Sequence, residues 1–118
     1  MNDMVQEIDL ETVEVSMEQA KKALGLRKNL ERLTSNRDFK KVVLEGYFEQ
    51  EAQRLVHLKA VPSMQTPEHQ ESIMKQIDAI GAVRNYFNTI MVFGAQAEKE
   101  MVSLEETREE ILAEEGEE

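Results

Sequence analysis

The residues able to do acid–base or metal chemistry are few. His57 and His69 are the only histidines, and the chain has no cysteine. A metal centre needs several nitrogen, sulfur or oxygen ligands converging on one point. No HExxH, EF-hand loop or Glu-x-x-His pair supplies such a set. Glu45 and Glu49 stand one helical turn apart, which suits a di-metal site only where facing helices bring further ligands. No such partners can be named, so the pair reads as a solvated charged face. His57 borders an apolar face and reads as a packing or surface histidine, and His69 as a solvated residue of a helix's first turn. GxSxG, a Gly-rich phosphate loop and a dinucleotide fingerprint are absent. Gly25, Gly46, Gly81, Gly94 and Gly116 are isolated from one another. The expectation is a protein without catalytic residues, cofactor or metal.

What the chain has instead is a repeat. Ile73, Gln76, Ile80, Val83, Phe87, Ile90, Gly94, Ala97, Met101, Leu104, Arg108 and Ile111 alternate steps of three and four. That is the pattern of a helix packed along its length against other helices. Met74, Met91 and Met101 lie on or beside the stripe as core filler rather than a binding groove.

The remaining elements follow from start and stop signals. Ser16 with Gln19 reads as a capping box opening a first helix over 16–33, weakened in its middle by Gly25. Ser35 or Asn36 caps a second helix over 36–60, with Asp38 in its first turn. Phe39, Val42, Val43, Leu44, Tyr47, Phe48, Ala52, Leu55, Val56 and Leu58 give that helix a broad apolar surface. Gly46, among these large residues, marks close approach by another helix or is simply tolerated. Pro62 ends the helix. Thr66-Pro67-Glu68 opens a third helix over 67–113: threonine caps, proline takes the first position, and glutamate meets the positive end of the dipole. Residues 1–15 read as an acidic arm, either disordered or with a short extended piece at Val13 and Val15, and 114–118 as a fraying acidic tail.

The third helix changes character halfway. From Ile73 to Phe93 the stripe is flanked by Ile77, Ala79, Tyr86, Met91 and Phe93, with Arg84 the exception, a broad face that a hairpin partner can bury. From Gly94 to Ile111 the flanks include Glu98, Glu100, Glu105 and Glu114, a narrow seam between acidic shoulders. Like charges there disfavour self-pairing. Ala97, Met101, Leu104 and Ile111 are therefore the candidate partner seam. Two covers remain open for it: the basic first helix, or a separate protein.

Charge is polarised along the chain. The net charge is −10, with −5 in residues 1–15, +3 in 16–97 and −8 in 98–118. Lys21, Lys22, Arg27, Lys28, Arg32, Arg37, Lys40 and Lys41 form a candidate basic patch, the one region suited to phosphates. The overall acidity and the lack of interleaved aromatics argue against nucleic acid as a partner. No basic segment followed by an apolar core opens the chain as in a signal peptide. Residues 79–97 have the length of a membrane span but contain Arg84, Asn85, Asn88 and Gln96, which favours a buried helix and no membrane contact.

Two stretches carry a resemblance. One runs Leu33-Thr-Ser-Asn-Arg-Asp-Phe-Lys-Lys-Val-Val-Leu-Glu-Gly-Tyr-Phe48, continuing to Glu51-Ala52 and Arg54-Leu55. The other runs Gln76-Ile-Asp-Ala-Ile-Gly-Ala-Val-Arg-Asn-Tyr-Phe87, with Thr89-Ile90, Gly94 and Ala97-Glu98. Together, over roughly residues 30–100, they resemble small, mostly uncharacterised proteins of tailed bacteriophages encoded among virion-assembly genes. The resemblance implies a phage context, a structural or assembly role, and a place in the virion or the host cytoplasm. It transfers no catalytic residue.

The expected molecule is thus all-α: a helical hairpin or three-helix bundle with a long, partly projecting C-terminal helix. The expected function is non-enzymatic protein–protein interaction as a minor structural or assembly component of a phage particle. The alternatives are an acidic phage-encoded regulator of a host protein and a weak nucleic-acid binder using the 21–41 segment.

Overall fold

The computed structural model describes residues 9–117. They are all-α, with no strand among the described residues. Helix α1 is Leu10–Ser35, α2 occupies residues 37–59, and α3 is Pro67–Glu117. A single 3₁₀ turn, Pro62–Met64, joins α2 to α3. The chain divides into two compact units, one of residues 1–28 with 90–118, the other Asn29–Thr89.

The first helix starts earlier than its apparent capping box. Asp9, not Ser16, is the cap: the Thr12 backbone N–H donates to Asp9 Oδ1 at 2.8 Å. Leu10 to Val15 are helical, so the extended piece expected at Val13 and Val15 is wrong. Val13, Met17 and Ala20 are buried, at i, i+4 and i+7. This is a helical face, and it outweighs the local Ser16–Gln19 signal, which falls inside the helix. Residues 1–8 of the expected arm lie outside the described residues. At the other end, α3 carries on through residues 114–117, past the expected stop at Ala113.

Helix α2 is not wound as an α-helix throughout. Asn36 caps it, its side chain accepting from the Phe39 N–H at 2.9 Å. Arg37–Phe39 and Ala52–Lys59 are α-helical, and Lys40–Glu51 between them is π-helical. The reason lies in the spacing of the large residues. Phe39, Val43, Tyr47 and Leu55 recur in steps of four or eight, whereas an α-helix turns once in 3.6 residues. Sixteen residues of α-helix would leave Phe39 roughly 160° around the axis from Leu55, facing away from the core. The i→i+5 bonds of the π segment put more residues into each turn. They hold Phe39 on the inner side, 6.0 Å from the ring of Phe87. Lys40 and Lys41 are left exposed.

Gly46 sits in this segment for a local reason, not for the approach of another helix. A Cβ there would lie 3.0 Å from the carbonyl oxygen of Lys41 in the same helix. The wider winding brings that backbone in, and only a residue without a side chain accommodates it freely.

The turn into α3 is held by two glutamines. Gln65 donates to the carbonyls of Lys59 and Val61, and Gln70 to those of Lys59 and Met64, at 2.8–2.9 Å. Both reach the Lys59 carbonyl, which the end of α2 leaves without an intrahelical partner. Thr66 caps α3 as expected, accepting the His69 N–H at 3.2 Å. The core of the Asn29–Thr89 unit is then Leu55, Ile73 and Ile80, with Tyr47, Phe48, Ala52, Leu58, Met64 and Ile77 packed against it. Phe48 meets Phe87 edge-on at 5.7 Å.

The broad face expected on α3 is only half covered by its hairpin. Ile73, Ile77, Ile80 and Phe87 turn towards α2. Gln76 is exposed, Val83 is 37% exposed and Tyr86 58% exposed. One repeat has become two faces.

Candidate interaction surfaces

In the unit formed by residues 1–28 and 90–118, the seam finds its cover inside the chain. Ile90 and Ala97 are buried, and Met101, Leu104 and Ile111 are half-buried. Val13, Met17 and Ala20 are buried on the part of α1 that belongs to this unit. Met17 and Lys21 share a cleft of about 420 Å³ with Met101, Glu105, Arg108, Glu109 and Leu112 of α3. Of the two covers left open by the sequence, the first helix is the one built.

Gly94 sets how close the two helices come. A Cβ on Gly94 would meet Arg27 Cβ at 2.7 Å and Cδ at 2.5 Å. Arg27 lies across the α3 backbone at that point and reaches Glu98, with Nη2 3.0 Å from Oε2. Part of the acidic shoulder is thus answered by the basic first helix. The pair is largely dry on one side and wet on the other, with side-chain exposures of 19% and 66%.

The basic candidates are divided between the two units. Lys21, Lys22, Arg27 and Lys28 belong to one unit, and Arg32, Arg37, Lys40 and Lys41 to the other. All but Arg27 are exposed. Arg32 donates to Asn29 Oδ1 at 2.6 Å, a local contact along the same helix. Arg54, which the sequence did not single out, makes a two-pronged ion pair with Glu51 at 2.7 and 2.8 Å. That hydrogen bonding lowers the pKa of Glu51 and raises that of Arg54. Both are surface groups, and such a pair adds little to stability.

The remaining candidates for chemistry stay apart. His57, His69, Glu45 and Glu49 are exposed. No cluster of three or more His, Cys, Asp or Glu able to hold a metal forms among the described residues. No helix among them is long and apolar enough to cross a membrane.

Several large apolar side chains are left on the surface: Val15, Val42, Val56, Tyr86, Phe93 and Val102 are each more than half exposed.

Compared with known protein families, characterised proteins and solved structures, the chain matches none.

Proposed function

We propose that the protein is a non-enzymatic interaction protein that serves as a minor structural or assembly component of a tailed-phage particle. The observation that carries the interaction reading is the exposure of large apolar side chains, among them Val42, Val56, Tyr86 and Val102. Such surface is stable in water when another protein covers it. The phage context rests on the resemblance of residues 30–100.

Mass spectrometry of gradient-purified particles tests this. The protein should be present at a fixed copy number per particle and should resist a high-salt wash. Its absence from particles, together with its recovery from host lysate bound to a host protein, would instead support an acidic regulator. That second reading draws on one feature: residues 1–28 and 90–118 together carry the whole net charge of −10.

A further inference from the structure

We propose that the first turns of α1 act as a strap over the end of α3, opened by low ionic strength and closed by salt. The inference does not depend on the phage reading. It concerns only the unit of residues 1–28 and 90–118. There the two helices run antiparallel: Arg27 crosses Gly94 and reaches Glu98, while Met17 and Lys21 share a cleft with residues between Met101 and Leu112.

Contact is uneven along this pair. At one end Ile90, Gly94 and Ala97 are buried, and the Arg27–Glu98 ion pair ties the helices together at 3.0 Å. At the other end Met101, Leu104 and Ile111 are only half-buried. A cleft of about 420 Å³ stands there between the helices. Val13 and Met17 are the apolar side chains that α1 buries at that end. Regions with few buried apolar contacts are the first to open locally.

Charge divides the same way. Residues 21–28 carry four bases and no acid, and residues 90–104 two acids and one base, so that end attracts. Residues 9–18 carry four acids and no base, and residues 105–117 seven acids and one base, so the other end repels. Glu14 and Glu18 of α1, with Glu105 and Glu109 of α3, border the clefts around Lys21 and Arg108. None of these six side chains makes an ion pair with another described residue.

Such self-repulsion works against the compact state. The Debye length is roughly 30 Å at 0.01 M salt and about 3 Å at 1 M. Salt therefore removes the repulsion and leaves the apolar contacts of Val13 and Met17 in place. Opening uncovers Met17, Met101, Leu104 and Ile111.

The chain has no cysteine, so introduced cysteines carry spin labels at chosen sites. Gln19→Cys with Ser103→Cys spans the strap, and Gln53→Cys with Ser72→Cys spans the hairpin of the other unit. All four positions are exposed. In about 10 mM NaCl, double electron–electron resonance should give the strap pair a narrow distance and a second, longer and broader one. The longer population should shrink at least about threefold in roughly 1 M NaCl. Glu14→Gln with Glu18→Gln should shrink it in low salt. The hairpin pair should keep one narrow distance throughout. A single narrow strap distance in low salt would overturn the proposal. So would a longer population that grows with salt, one indifferent to the two glutamine substitutions, or equal broadening of the hairpin pair.

Discussion

The carbonyl oxygen of Lys41 lies 3.0 Å from where a Cβ would stand on Gly46. Five residues separate the two, the reach of a π-helical turn. In an ordinary exposed helix, glycine to alanine stabilises by about 1 kcal/mol. At Gly46 the obstacle is backbone and must shift to admit the methyl group. Gly46→Ala should therefore lower stability, by about 1 kcal/mol or more. Gly25 has nothing within 4 Å of its added Cβ, so Gly25→Ala should raise stability by up to about 1 kcal/mol. Urea midpoints of the two variants should move in opposite directions.

The early start of α1 gives a second contrast. Val13 is 1% exposed and Val15 54% exposed. Val13→Ser should cost about 1.5–3 kcal/mol, and Val15→Ser no more than about 0.5 kcal/mol. Equal, small shifts in thermal midpoint for both variants would return residues 10–15 to a loose arm.

The cap of α1 adds a pH dependence. The Thr12 backbone N–H, and then its side chain, bond to the Asp9 carboxylate and hold its pKa below the ordinary 3.8. Folding then favours the charged form. Its contribution is fully present above that ordinary value and is lost as pH falls through the lowered one. Helicity at the start of α1, followed by amide exchange, should fall in acid. Asp9→Asn keeps an acceptor but cannot titrate, so it should remove that component of the loss.

Most of the architecture was legible in the residues. The all-α class, the Pro62 stop, the Thr66-Pro67 start and the hairpin follow from local chemistry that acts within a few residues. The start of α1 was misread because Ser16 and Gln19 make a good cap in isolation. The Val13, Met17, Ala20 spacing that overrides them is also in the sequence, but its weight comes from α3. The π winding leaves a trace as well, in the step of four from Phe39 through Val43 to Tyr47. What no spacing reveals is which half of a broad apolar face another helix will cover. Gln76 and Val83 have the same heptad credentials as Ile73 and Ile80 but opposite fates. For the same reason the cover of Met101 and Leu104 stayed open until α1 was placed.

The central claim is that the repeat's second half closes within the chain, against α1. Replacing Leu104 and Ile111 together by aspartate tests it most directly. Both are half-buried and lie among glutamates, so two further negative charges would face the α1 side. Thermal unfolding of the isolated protein should show a loss of at least about 2 kcal/mol. An unchanged melting curve, accompanied by loss of a bound partner, would contradict the claim and make the seam an external site.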